Sequence, residues 1–251
     1  VFRNATLADF TAENFYGLDP TGGALSGVDL TGTVDRDEFR GTARDDIMRG
    51  LAGNDYIVDY TSGSDTIFGG DGGDTIDIYR GSSSVLQSDL DLNGQDGNDN
   101  IYIDDYSSGN VNADVDAGAD DDYVAFYQSQ STVSSSGTFD FDLGSGDDFL
   151  FLSHNTTGVT ITTGTGVDEV RFNPYMNYTI ETVTITDFTT GAGGDLVNID
   201  YLISNYIDGY DGVTNPFDAA AGYFELVQSG SDVILRIDED GGADGFTDLV
   251  V

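Results

Sequence analysis

The residues of this chain that could do chemistry are aspartates placed in glycine-rich turns. Residues 69–77 read GGDGGDTID, so that glycines precede Asp74 and Ile76 follows it by two positions. Because glycine adopts positive φ without a Cβ clash, such a turn can direct its carbonyl oxygens inward, toward the Asp74 carboxylate. Oxygens of this kind are ligands for calcium, which takes roughly six to eight of them. One turn supplies only part of such a site, so a neighbouring turn must supply the rest.

The turn recurs along the chain, and each copy has an apolar residue two positions after its aspartate. Aligned on that aspartate, the copies are residues 32–40, 41–49, 50–58, 60–68, 69–77, 94–102, 117–125, 143–151 and 163–171, with a shorter relative at 191–195. A disordered tract rich in Gly and Asp would lack the apolar residues that close the repeats. We therefore expect a folded repeat protein.

These repeats match the nine-residue pattern G-G-x-G-x-D-x-U-x, in which U is a large apolar residue. The chain thus resembles the RTX (repeats-in-toxin) family of calcium-binding repeat proteins over most of residues 32–200. The resemblance implies an all-β fold, a right-handed parallel β-roll or β-helix solenoid with short terminal caps, that binds several Ca²⁺ ions. Residues 32–198 would form the roll and residues 199–251 a C-terminal β cap. Residues 1–31 would be an N-terminal cap or the end of an upstream region.

The spacing of the repeats predicts where the aspartates lie. Up to residue 77 two repeats make one coil, which places Asp37, Asp55 and Asp74 on one edge and Asp46 and Asp65 on the other. Beyond it the aspartates lie 20–26 residues apart and the opposite turns are polar loops, so we expect one full row of calcium turns and a second, short row. Alternating apolar residues in the connecting segments predict flat parallel sheets with one buried face. The predicted metal-site residues of the turns are Asp37, Asp46, Gly53, Asp55, Gly63, Asp65, Gly70, Gly72, Asp74, Gly94, Gly97, Asp99, Asp120, Asp122, Gly144, Gly146, Asp148, Gly164, Gly166, Asp168, Gly193 and Asp195.

Three of these turns depart from the pattern. The turns of Asp37, Asp46 and Asp122 lack the middle glycine.

The composition agrees with a metal-stabilised protein. The 251-residue chain has a formal net charge of −38, its eight basic residues are all arginines, and only six of its 46 acidic residues are glutamates. Aspartate is the acid that favours turns and reaches a metal from them. Without cations this charge should hold the chain open, and it leaves no basic patch for nucleic acid. Because there is no cysteine, metal rather than disulfide is the expected staple.

No apolar run reaches the roughly 18 residues of a membrane span, and no signal peptide opens the chain. The chain begins at Val1 rather than Met, and we expect it to be a piece of a longer protein.

The C-terminal segment carries a second resemblance. Residues 228–242 read QSGSDVILRIDEDGG and are similar to the C-terminal segment of RTX proteins exported by type I secretion. Asp238, Asp240 and Asp244 could hold another calcium ion, although the segment lacks the closing Glu of an EF-hand loop. The alternative is an acidic hairpin without metal.

Groups for hydrolytic chemistry are scarce. The one histidine, His154, lies in a Ser/Asn/Thr loop, and there is neither Cys nor Lys to complete a nucleophile–base pair. We therefore predict that the chain is not an enzyme.

Outward positions of successive strands carry aromatic side chains, namely Tyr102, Tyr123, Phe149 and Phe151. Contiguous exposed aromatic residues are usually covered. Here the cover would be the C-terminal segment of the same chain, a partner at the cell surface, or another copy of the protein.

Together these observations predict a secreted or cell-surface bacterial protein that folds on binding calcium outside the cell. Its role would be structural, in a layer, a filament or an adhesin. The alternatives are a non-catalytic accessory module of a secreted hydrolase or polysaccharide-modifying enzyme, and a carbohydrate- or ice-binding adhesin domain.

Overall fold

The computed structural model describes residues 27–81, 88–107, 110–128, 137–153, 158–173, 182–207, 209–242 and 245–250. Within them the chain forms nineteen strands and one short helix. Most of the strands belong to two sheets between which the chain alternates.

The first sheet, sheet A, contains in its parallel part β1 (Asp29–Thr31), β3 (Ile47–Ala52), β5 (Asp65–Asp71), β7 (Ser88–Asp96), β9 (Val111–Asp116), β11 (Phe139–Asp142), β13 (Val159–Thr162) and β15 (Val183–Ile185). The second, sheet B, contains β2 (Glu38–Arg40), β4 (Tyr56–Asp59), β6 (Thr75–Arg80), β8 (Asn100–Asp105), β10 (Tyr123–Gln128), β12 (Phe149–Ser153), β14 (Glu169–Phe172) and β16 (Leu196–Asn198). Each strand from β1 to β14 pairs in parallel with the strand two places further along the chain. This topology is that of a β-solenoid, so the predicted all-β parallel fold is confirmed.

The core lies between the two sheets and is built by side chains of period two. Ile101 and Ile103 of β8 are fully buried and align in register with Val124 and Phe126 of β10. The ring of Phe126 also packs against Phe139 of sheet A, with 4.3 Å between centroids. Apolar side chains from both sheets thus fill one continuous core.

The parallel stacking begins at β1, inside the segment predicted as the N-terminal cap. Residues 1–26, the remainder of that cap, lie outside the described residues. No helix in the described part of the chain has the length and apolarity needed to cross a bilayer.

At the C-terminal end of the chain, the strand pairing in sheet A changes from parallel to antiparallel. The helix α1 (Asp200–Asn205) follows β16 and buries Leu202. The strands β17 (Phe224–Ser229), β18 (Asp232–Ile237) and β19 (Thr247–Val250) are antiparallel to one another, and β19 joins β15 to give sheet A eleven strands. These strands therefore continue sheet A, whereas Tyr201 and Asn205 of α1, in the same C-terminal segment, line one surface cleft with Phe151 of sheet B.

Candidate metal centre

Eight aspartates line one edge of the solenoid, at the turns that lead from sheet A to sheet B. The backbone N–H of each of the first seven donates to Oδ1 of the aspartate one coil further, at 2.6–3.2 Å. We call this row the aspartate ladder: Asp37, Asp55, Asp74, Asp99, Asp122, Asp148, Asp168 and Asp195. The structure therefore places the predicted aspartates along a common edge.

From the turn of Asp55 onward, the ladder turns owe their shape to positive φ at the second and fourth positions of the repeat. In the turn 69–74 these are Gly70 and Gly72, with φ of 123° and 124°. A Cβ on Gly72 would lie 1.9 Å from the carbonyl oxygen of Gly53 in the preceding coil. Glycine is needed here because both the backbone angle and the close stacking of turns exclude a side chain.

Asp120 takes the place of such a glycine in the turn of Asp122. Its own φ is 75°, a left-handed conformation that aspartate tolerates better than most residues. The turn of Asp122 therefore keeps the ladder geometry without its middle glycine. The side chain of Asp120 is exposed and does not join the buried carboxylates with which we had predicted it to bind metal.

Six ladder aspartates hold the second carboxylate oxygen, Oδ2, in the interior without a hydrogen-bond partner. They are Asp55, Asp74, Asp99, Asp122, Asp148 and Asp168. A buried carboxylate oxygen without a donor is costly, and either a proton or a bound cation would remove that cost.

Carbonyl oxygens approach these Oδ2 atoms where the first position of the repeat is glycine. A Cβ on Gly50 would lie 2.2 Å from Oδ2 of Asp55 and 2.2 Å from the carbonyl oxygen of Gly69 in the next coil. Oxygens from two coils thus border one small space beside Gly50. The same arrangement recurs in the next two coils, at Gly69 and Gly94. We call 50–55, 69–74 and 94–99 the glycine-first turns, and their oxygen donors suit a hard cation such as calcium.

The later turns differ at this position. Ala117, Leu143 and Thr163 stand where the glycine-first turns have glycine, and all three side chains are buried. By the geometry at Gly50, a Cβ here takes up the space beside the carboxylate. We call 117–122, 143–148 and 163–168 the filled turns, and they fit a cation less well than the glycine-first turns do.

Burial changes the acidity of the ladder. Desolvation raises the pKa of these carboxyl groups above the ordinary value of 3.8, and neighbouring carboxylates add to the effect while backbone N–H groups oppose it. The pKa is raised to about 6 at Asp74, about 7 at Asp99, about 8 at Asp122, about 7 at Asp148 and about 6 at Asp168. Without a cation these side chains compete for protons near neutral pH.

The two ends of the ladder are satisfied by the protein itself. Oδ2 of Asp37 accepts hydrogen bonds from the backbone N–H of Thr33 at 2.6 Å and from its hydroxyl at 2.9 Å. Oδ2 of Asp195 accepts them from the N–H of Thr189 at 2.7 Å and the hydroxyl of Thr163 at 3.1 Å. These two predicted ligands therefore have protein donors where the inner six have none.

The second edge, at the turns from sheet B to sheet A, carries Asp46 and Asp65 as predicted. The N–H of Asp46 donates to Oδ1 of Asp65 at 2.8 Å, and the N–H of Val28 donates to Oδ1 of Asp46 at 2.7 Å. Oδ2 of Asp46 accepts from the N–H of Thr42 at 2.5 Å. As at Asp37, a threonine at the second position of the repeat supplies the donors.

Two residues of the second edge were missed by the sequence analysis. Carboxylate oxygens of Asp46, Asp59 and Asp65 lie within 4.8 Å of one another, and the guanidinium of Arg80 lies 2.5 Å from Asp65 and 3.0 Å from Asp59. Burial and the adjacent Asp59 carboxyl raise the pKa of Asp65, against the opposing effect of Arg80. Asp59 and Arg80 both lie outside the repeat pattern, and only the three-dimensional register brings them to Asp65.

Of the three predicted C-terminal calcium ligands, the described residues include Asp238 and Asp240. Asp238 is buried and its Oδ2 accepts a hydrogen bond from the N–H of Gly245 at 3.3 Å, whereas Asp240 is exposed. Asp244 lies outside the described residues, as does His154.

Neither a family model nor a curated protein matches the chain.

Proposed function

We propose that the protein is a calcium-binding β-roll of the RTX type that folds when calcium binds. One observation carries the proposal: six buried Oδ2 atoms without a donor stand in a row, and in the glycine-first turns a carbonyl oxygen of the next coil approaches the same space. All the donors are oxygens, which suits calcium and disfavours zinc or copper.

In this proposal each ion would fasten one coil to the next. Asp55, Asp74 and Asp99 would supply carboxylate oxygens, and the first-position carbonyl of the following coil would supply a further ligand. A cation there neutralises carboxylates that otherwise repel one another in a chain of net charge −38. Because the ligands come together only in the folded coil, binding energy becomes folding energy.

This coupling favours a protein that stays unfolded where calcium is scarce and folds where it is plentiful, which supports export from a bacterial cell. A structural role at the cell surface is supported by the aromatic row on the outer face of sheet B. There Tyr123 lies 5.7 Å from Tyr102 and 5.3 Å from Phe149, measured between ring centroids. Phe151, in the adjacent row, contacts Tyr127 at 5.0 Å. The rings are half-buried, and the guanidinium of Arg171 lies 4.8 Å from the ring centroid of Phe149. Their half-exposed surface is what a second copy or a surface partner would contact.

The calcium proposal is tested by far-UV circular dichroism during titration with CaCl₂, with EDTA reversal and MgCl₂ as the matched control. We expect β-structure to appear with calcium, to disappear with EDTA, and to respond weakly to magnesium. A chain that is fully β-structured at neutral pH in EDTA, and that binds no calcium by calorimetry, would contradict the proposal.

The surface role is tested separately by light scattering at high calcium. We expect assembly by the wild type and its loss in the Phe149→Ser/Phe151→Ser variant. A wild type that stays monomeric at high calcium would count against this role without affecting the calcium site.

A further inference from the structure

Arg80 is a fully buried cation at the second edge of the solenoid. It ends β6, and its side chain has no exposed surface. Its Nη2 donates to Oδ2 of Asp65 at 2.5 Å and lies 3.0 Å from Oδ2 of Asp59. Its Nη1 donates to the carbonyl oxygen of Asp59 at 3.2 Å, and its Nε donates to the hydroxyl of Ser88 at 3.3 Å. All three nitrogens of the guanidinium are therefore engaged.

The acids around Arg80 need a cation. Asp46, Asp59 and Asp65 are all buried, with carboxylate oxygens within 4.8 Å of one another. Buried carboxylates persist only when they are paired or protonated. An arginine keeps its charge at every physiological pH, so it supplies a permanent positive charge to the cluster.

The two edges of the same coils differ in how their buried carboxylates are paired. On the ladder, the Oδ2 atoms of Asp55 and Asp74 have no protein donor. On the second edge, Oδ1 of Asp65 accepts the N–H of Asp46 and Oδ2 accepts Arg80, so both of its oxygens are satisfied. Oδ2 of Asp59 accepts no hydrogen bond, but it lies 3.0 Å from the same guanidinium.

The satisfied pairing continues into the following coils. Asp105 stands in register with Arg80, and Gln128 stands in register with Asp105. Oδ1 of Asp105 accepts the N–H of Ser107 at 2.9 Å, and Oδ2 accepts the amide of Gln128 at 3.2 Å. The described second edge thus proceeds through side-chain partners after the turn of Asp65.

We propose that Arg80 is the resident cation of the second edge, occupying the place that a metal ion would take, so that this edge binds no calcium. Only the contrast with the ladder rests on the proposed calcium function, since the pairing of Arg80 with Asp59 and Asp65 does not depend on it. The edge is a latent metal site, and loss of the guanidinium would make it depend on an external divalent cation.

The test combines thermal unfolding in EDTA at pH 5, where the metal-free protein is expected to keep its β-structure, with calorimetric titration of CaCl₂. Arg80→Met should lower the melting temperature in EDTA by roughly 10 °C, since it leaves buried carboxylates unpaired. Calcium should recover part of that loss, with one more binding event than in the wild type. Arg80→Met combined with Asp59→Asn and Asp65→Asn should regain the melting temperature in EDTA and lose the added event. The matched control is Arg49→Met, which removes the exposed ion pair to Asp29 and should shift the melting temperature by only about 2 °C.

Arg80→Lys keeps the charge and guards against a Met variant that fails to fold. It should fold with the wild-type calcium stoichiometry, and a folded Lys variant that takes up an additional calcium would overturn the proposal. So would an Arg80→Met protein that melts like Arg49→Met, or a single Asp65→Asn change that lowers the wild-type stoichiometry. If the wild type binds no calcium at all, the calcium function fails, while the melting temperatures in EDTA still decide the role of Arg80.

Discussion

We expect the metal-free protein to lose stability as the pH rises from about 5 to about 8, opposite to the common behaviour of proteins with salt-bridged acids. In the folded chain, desolvation holds the pKa of Asp99 at about 7 instead of 3.8. The folded state therefore binds protons more tightly than the unfolded state. The resulting destabilisation is absent below roughly pH 4, grows as the pH approaches 7, and is complete above it.

The size of the effect follows from the ladder. For Asp99 the difference corresponds to about 4 kcal/mol, which water reaching the turns would reduce to about 2 kcal/mol. Five ladder carboxyls have pKa values raised to between about 6 and about 8. Together they would cost on the order of 10 kcal/mol at pH 8, comparable with the whole stability of an ordinary domain.

The assay is far-UV circular dichroism in EDTA across this pH range, repeated in excess CaCl₂. We expect β-structure near pH 5, its loss by about pH 8, and its retention at pH 8 when calcium is present. Asp122→Asn, which removes the most strongly perturbed carboxyl of the ladder, should shift the metal-free transition to higher pH. A metal-free chain whose β-structure and melting temperature do not change between pH 5 and pH 8 would refute the reasoning.

Three further predictions concern single sites. Asp99→Asn should lower the calcium stoichiometry measured by calorimetry, whereas Asp37→Asn, whose carboxylate has threonine donors, should leave it unchanged. Gly97→Ala should lower the free energy of unfolding in calcium by about 3 kcal/mol or more, because φ is 121° and the new Cβ would lie 2.3 Å from a carbonyl oxygen. The control is Gly230→Ala, where φ is 67° and the new Cβ would meet open space. Thermal melting should show a cost of only about 1 kcal/mol for that variant. Phe126→Ala should cost roughly 3–5 kcal/mol in a denaturant titration, because it empties the contact between the two sheets.

Much of this architecture could be predicted from the sequence because the repeat is local. The period-two pattern around Ile101 and Val124 identifies the buried face of each strand, and the spacing of Asp37, Asp46 and Asp55 assigns alternate turns to opposite edges. Both inferences depend only on neighbours within one coil.

What the pattern could not predict depends on contacts between coils. Arg80 reaches Asp65 across fifteen residues, and no repeat position marks it as a partner. The self-satisfied state of Asp37 and Asp46 did have a signal, the threonine at the second position of each repeat. The structure explains this signal, because the hydroxyl and N–H of the threonine donate hydrogen bonds to the carboxylate oxygens that a cation would otherwise bind.

The coils of the aspartate ladder differ in length, yet their register is unbroken. Successive ladder aspartates are separated by as few as 18 and as many as 27 residues, while each N–H still finds the next carboxylate. Up to Asp168 the strands that flank each ladder turn lie close together in sequence, so the differences in length fall in the segments that lead from sheet B back to sheet A, and these segments are the places for insertions that leave the stacked edge intact. Peptides grafted there in consecutive coils would lie about 4.8 Å apart, so the solenoid could display short epitopes in a row at a fixed spacing.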